Sequence, residues 1–336
     1  MIQNSISDNR IVWLDVIRCV AMIMVIGVHC IDPFYISPTM RAIPEYTHWA
    51  AIYGSLLRPS VPLFVMMTGL LLLPVKKQPL GKFYKKRIYR VLFPFLIWSV
   101  LYSMFPWVTG VLGLPKEIIG DFFCYTQGQE SQSLIDSLKD VAMIPFNFSH
   151  KENHMWYIYL LIGLYLYMPF FSAWIENADR KTKRAFLLIW IISLFIPYLK
   201  EYVANCLFER SGYVFGTDTW NEFGLFYYFA GFNGYLLLGH YVKKGNDWSL
   251  MKTLLQKVVI TNSTVIKVLA NMTQCGFGIY MVHYFVVGPF FLLIGPSSLP
   301  IPLQVPLMAI CIFLCSWAFT ALIYKLMPRK AVWFMG

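Results

Sequence analysis

The chain has 336 residues, of which 58% are hydrophobic, 18% aromatic and only 13% charged. That composition excludes an ordinary soluble globular domain. The formal charge of +11 would suit a nucleic-acid binder, but its distribution does not. With the N-terminus placed in the cytoplasm, cytoplasmic segments hold 19 of the 28 Lys and Arg, outer segments 6 and apolar spans 3. This is the asymmetry of the positive-inside rule, so no nucleic-acid partner is expected. The expected class is all-α: a polytopic helical membrane protein with both termini cytoplasmic, one transmembrane domain over 1–336, and no soluble domain. No cleavable signal peptide is expected either, because the first apolar run is interrupted by Asp15 and Arg18 and lacks a small-residue cleavage site.

About eight spans follow in order. The first, 11–31, runs outward and carries Asp15, Arg18 and His29. Charged groups at membrane depth are costly and usually mark function. Arg18 and His29 are eleven residues apart, which at ~100° per residue returns to nearly the same helix face, roughly 16 Å further along. One face thus holds a fixed cation toward the cytoplasm and a titratable base toward the outer rim. The loop 32–48 contains Pro33, Pro38 and Pro44, which are expected to hold it extended. The second span, 49–73, carries Arg58 beside Pro59 and Pro62, the signature of a kinked or broken helix. Within it Thr68-Gly69 allows close helix approach.

Residues 74–90, PVKKQPLGKFYKKRIYR, are the most basic stretch and lead into the third span, 91–113. The loop 114–153 contains SLIDSLKDVAMI at 133–144, whose apolar residues have helical spacing and suit the membrane interface. The fourth span, 155–175, is rich in aromatics; a basic turn at 176–184 and a short fifth span, 185–199, follow. The sixth span is placed at 222–242. A polar, Lys-bearing segment, 243–272, has no run long enough to cross. The seventh and eighth spans, 275–294 and 303–326, are joined by a Gly/Pro/Ser turn.

Several residues are candidates for chemistry, each with a plainer structural role beside it. Asp15 and Arg18, at i and i+3, suit a neutralising ion pair, and Arg18 is also able to snorkel to headgroups. His29 suits a core histidine satisfied by a carbonyl as well as a general base. Arg87 and Arg90, also at i and i+3, anchor the chain on anionic lipid or present two guanidinium forks to a phosphorylated ligand from the cytoplasm. His154 and Trp156, in KENHMWYIYLL, lie at an outer boundary near the level of His29. His283, in GFGIYMVH, sits in an otherwise apolar span. No GxSxG, HExxH, P-loop or dinucleotide glycine fingerprint occurs. Hydrolase, zincin and NTPase motifs therefore find no support, and no metal site is expected. Of the seven cysteines, Cys124 and Cys206 share the outer side, where a disulfide is one option.

The set Arg18-x10-His29, R-x-x-R at Arg87/Arg90, HMWY at 154–157 and GIYMVH at 278–283 resembles acyltransferase family 3. These are bacterial membrane O-acyltransferases, among them the O-acetyltransferase of enterobacterial common antigen. The resemblance implies a multi-pass inner-membrane enzyme with no permanently bound cofactor. Its co-substrate is acyl-CoA, with acetyl the expected acyl group, and its acceptor is an envelope glycan or lipid-linked saccharide. It implies that Arg18 and His29 are the essential pair, with His29 as general base or as an acylated intermediate. Arg87 and Arg90 hold the CoA phosphates or keep the cytoplasmic face assembled. Asp15, Arg58, His154, Trp156 and His283 remain motif positions without an assigned step. Members usually have ten spans, so a two-helix deficit is expected around 242–272. Two other classes compete. A transporter or flippase would use Asp15, Arg18, Arg58, His29 and His283 as a path, and a non-catalytic scaffold would retain only CoA binding.

Overall fold

A computed structural model describes residues 11–114, 131–146, 150–203, 229–244, 260–295, 297 and 299–336. Among these residues every regular element is a helix. Helix α1 (Val12–Cys30) is followed after one residue by α2 (Asp32–Ile36), which carries Pro33 in its first turn. The continuous apolar segment is Val12–Ile36, 25 residues, and His29 lies within it, in the last turn of α1. The loop prolines differ from expectation as well. Pro38 opens α3 (Pro38–Arg41) and Pro44 opens α4 (Pro44–Leu57). At the first helical position the missing N–H costs nothing and the fixed φ is already helical, so these prolines start helices and do not hold the chain extended.

The expected break at Arg58–Pro59 is present: α4 ends at Leu57 and α5 (Ser60–Leu72) begins after the turn. Arg58 itself is exposed. Helix α6 (Leu80–Val111) runs 32 residues and takes in the basic stretch from Lys82 to Arg90. In α7 (Leu134–Met143), Ser133 caps the first turn by accepting from the Asp136 N–H at 3.1 Å. A 3₁₀ turn (His150–Met155) leads into α8 (Trp156–Asn177). Asp179 caps α9 (Arg180–Ser193), accepting from the Thr182 N–H at 2.7 Å. Hydrogen bonds from the Thr182 side chain and backbone hold the exposed Asp179 carboxyl below its usual range. Helix α10 (Ile196–Val203) has Pro197 in its first turn, and α11 (Phe232–Lys244) follows.

In the polar 243–272 region, Asn262 caps a helix, α12 (Ser263–Gln274), that ends at Cys275. At 12 residues it spans about 18 Å, short of a ~30 Å hydrocarbon core. Helices α13 (Gly276–Ile294), α14 (Ile301–Leu326) and the short α15 (Ala331–Met335) complete the chain. Among the described residues seven helical segments are long and apolar enough to cross a membrane. Part of the expected sixth span, 222–242, lies outside the described residues, as do Cys124, Cys206 and 245–259. In the second half of α9 the exposed side chains Leu188, Ile189, Ile191 and Ile192 are apolar, as a lipid-facing surface requires.

Two compact units arise. The first comprises described residues of Met1–Val61, Gly81–Ile162 and Leu254–Gly336. In it α1 packs against α4, α12, α13 and α14. Tyr102 of α6 donates to the Met281 carbonyl of α13 at 2.8 Å, and Trp98 donates to the Phe334 carbonyl at 2.8 Å. The C-terminal residues therefore fold back on α6.

The second unit comprises Pro62–Leu80 and described residues of Gly163–Thr253. Here α5 and α11 cross through two glycines: a Cβ on Gly69 would collide with the Leu236 backbone, and one on Gly239 with the Met66 backbone. The close approach expected at Thr68-Gly69 is thus present and reciprocated. His240 is buried and donates through Nδ1 to the Leu73 carbonyl at 3.1 Å. Gly239→Leu is expected to lower stability by roughly 1–3 kcal/mol through overpacking. Thermal denaturation in detergent measures this against Gly163→Leu, where an added Cβ meets nothing within 4 Å.

Candidate active site

His29 lies in the last turn of α1, and its Nδ1 is 2.9 Å from Oδ2 of Asp32. A carboxylate only accepts, so the shared proton resides on Nδ1 and Nε2 keeps the ring's lone pair. The break at Ile31 creates this dyad: it starts α2 at Asp32, one turn beyond His29.

Two more imidazoles pack against His29. The ring of His283, from the middle of α13, is centred 5.3 Å away, and that of His154, from the 3₁₀ turn before α8, 6.1 Å away. These two are 5.2 Å from each other. Tyr284 meets His29 edge-on at 5.5 Å and stacks on His154 at 4.7 Å, and Tyr102 meets His154 at 5.2 Å. Tyr280 donates its hydroxyl to the His154 carbonyl and accepts at its own carbonyl from His283 Nδ1 at 2.6 Å. His154 and His283 are sealed, at 1% and 0% exposure, whereas the His29 side chain retains 14%. Only His29 among the three is accessible to a reactant.

At the other end of α1, Arg18 Nη1 is 3.5 Å from Asp15 Oδ1. The ion-pair geometry anticipated for Asp15 and Arg18 therefore exists, yet the Arg18 side chain keeps 28% exposure against 5% for Asp15. Since α1 is unbroken, Arg18 and His29 share a face about 16 Å apart. Arg87 is half-buried and Arg90 exposed, one helical turn apart on α6. Met22, one turn beyond Arg18, lies against Gly276 at the start of α13, and Tyr324 of α14 donates its hydroxyl to the Gly336 carbonyl at 2.7 Å.

Trp156 is 38% exposed, with its ring edge-on to Tyr157 at 6.3 Å. Arg58 stands exposed at the α4–α5 break. Sequence reasoning missed Asp32, Tyr102, Tyr280 and Tyr284. For Asp32 a signal was available, because it follows His29 at i+3, the spacing of a helical pair. Among the described residues no three His, Cys, Asp or Glu side chains are arranged to hold a metal ion.

The model of the acyltransferase 3 family, described as an acyltransferase domain, matches residues 11–260, about three-quarters of the chain. The chain belongs to this family. No curated protein and no solved structure matches it. Membership makes it a membrane acyltransferase, with Asp15, Arg18, His29, Asp32, Arg87, Arg90 and His154 inside the matched residues. His283 lies beyond them, so its association with the acyltransferase site rests on its contacts with His29 and His154.

Proposed function

We propose that this membrane acyltransferase moves an acyl group, acetyl in the simplest case, from cytoplasmic acyl-CoA to a hydroxyl of an envelope glycan or lipid-linked saccharide. The enzyme would sit in the bacterial inner membrane with both termini cytoplasmic and use acyl-CoA as a co-substrate. The observation that carries the reading is the His29–Asp32 contact at 2.9 Å, on the same helix face as Arg18. A base oriented through Nδ1 by a carboxylate has the form that general-base chemistry needs. Arg18 at the opposite end supplies a cation for a phosphate-bearing donor, joined on that side by Arg87 and Arg90.

The step balances without a further reagent. The acceptor hydroxyl gives its proton to His29 Nε2 while its oxygen bonds to the thioester carbonyl carbon. Collapse breaks the C–S bond, and the departing CoA thiolate takes the proton back from His29. The pantetheine arm is the part of the donor that covers the ~16 Å between Arg18 and His29. Mass spectrometry of surface glycans from cells with and without the protein tests the reading. Acyl groups on one glycan are expected to vanish when the protein is removed, and identical acylation in both strains contradicts it.

A further inference from the structure

The imidazole cluster is short of hydrogens. His283 Nδ1 lies 2.6 Å from the Tyr280 carbonyl. A carbonyl only accepts, so Nδ1 bears the ring proton and the lone pair sits on Nε2. Among the described residues that buried Nε2 has no hydrogen-bond partner, and neither nitrogen of the buried His154 has one. His29 has committed its proton to Asp32. In their neutral forms the three rings therefore carry three lone pairs, on His29 Nε2, on His283 Nε2 and on one His154 nitrogen. Against these stands a single uncommitted N–H, on His154. A histidine serving only as core packing would be expected to have its polar atoms satisfied; buried unpaired groups are rare and call for an explanation.

The missing hydrogen arrives with the reaction. In the proposed transfer, His29 acquires an Nε2–H from the acceptor hydroxyl. Its ring then donates at both nitrogens, to Asp32 through Nδ1 and to a neighbour through Nε2. The ring centres of His29 and His283 are 5.3 Å apart, close enough for a hydrogen bond between ring nitrogens that face each other. We propose that His283 is a positioning residue for His29: its Nε2 lone pair, backed by His154, receives the proton-bearing Nε2 of His29 after the acceptor hydroxyl is deprotonated. The contact is absent in the resting enzyme and forms only as charge develops, so it favours the transition state over the ground state. When the C–S bond breaks, the same proton passes from His29 Nε2 to the CoA thiolate, and the cluster returns to its resting count.

This inference rests on the acyl-transfer reading, and one set of variants separates the two. The purified full chain in proteoliposomes is given acetyl-CoA and octyl glucoside as a membrane-soluble hydroxyl acceptor. CoA release and acceptor acetylation are followed for wild type, His29→Ala, His283→Leu and His283→Asn. His283→Leu is expected to lower kcat roughly 10-fold, the scale of one hydrogen bond to a charged group, with KM for both substrates unchanged. In His283→Asn the amide N–H replaces the donor to Tyr280 and the amide oxygen supplies an acceptor, so part of the lost kcat returns. An unchanged kcat in His283→Leu, a loss confined to KM, or no recovery in His283→Asn overturns the inference while an inactive His29→Ala leaves the acyl-transfer reading intact. Failure of both His283 variants to fold would make the residue a packing element and also overturn the inference. A wild type that releases no CoA, or an active His29→Ala, overturns the reading and the inference together.

Discussion

Replacing His29 with alanine is expected to lower the acyl-transfer rate by roughly 10²- to 10⁴-fold, the range of a positioned general base, while leaving the protein folded. The expectation of folding comes from the residue's position. His29 lies near the end of α1 and retains exposure, and its hydrogen-bonding partner Asp32 is 32% exposed, so the orphaned carboxylate still reaches solvent. A burial penalty of the kind that accompanies a lost internal partner does not arise. Truncating the sealed His154 or His283 carries more risk to folding, because these rings pack against Tyr102, Tyr280 and Tyr284. Steady-state CoA release beside a thermal melt separates loss of chemistry from loss of fold.

Asp32→Asn is expected to reduce kcat by about 10- to 100-fold, the worth of a hydrogen bond to a charged group, with little change in KM. The substitution is nearly isosteric, so its effect is chemical. An asparagine amide directed at Nδ1 donates where the carboxylate accepted, which moves the ring proton to Nε2 and removes the lone pair that would take the acceptor's proton. Turning the amide so that its oxygen faces Nδ1 restores the tautomer but not the negative charge that steadies the imidazolium. Because Asp32 is partly exposed, solvent screening places the effect in the lower part of that range. Kinetics of the variant with acetyl-CoA test this, and an unchanged kcat would remove Asp32 from the site.

Several features were legible from residue order alone because they depend on local physics. The shared face of Arg18 and His29 follows from helix periodicity, the break at Arg58–Pro59 from proline sterics, and the close crossing at Gly69 from the absence of a Cβ. The imidazole cluster was legible only in part. His29 and His283 stood out as polar groups in apolar spans and His154 as one at an outer boundary, but their meeting joins α1 to residues more than a hundred positions away, and no local pattern encodes that. Tyr102 and Tyr284 gave no signal, in a chain with 21 tyrosines and 27 phenylalanines.

Asp32 was obscured by its neighbour. Pro33 suggested an extended loop, whereas the chain uses it to begin a helix, and the new start places the carboxylate one turn from His29. The polar 243–272 stretch hid α12 for a similar reason. A helix of 12 residues is too short to read as a span. It nonetheless packs against α1 and links into the helix that carries His283.

The most direct test of the central claim is a paired measurement on purified protein in proteoliposomes supplied with acetyl-CoA and a sugar-hydroxyl acceptor. CoA thiol release and ester formation on the acceptor are followed together, with His29→Ala in parallel. The account predicts equal amounts of free CoA and acetylated acceptor from the wild type and neither product above background from the variant. Acceptor crossing the bilayer without CoA release, or undiminished ester formation by His29→Ala, would contradict it.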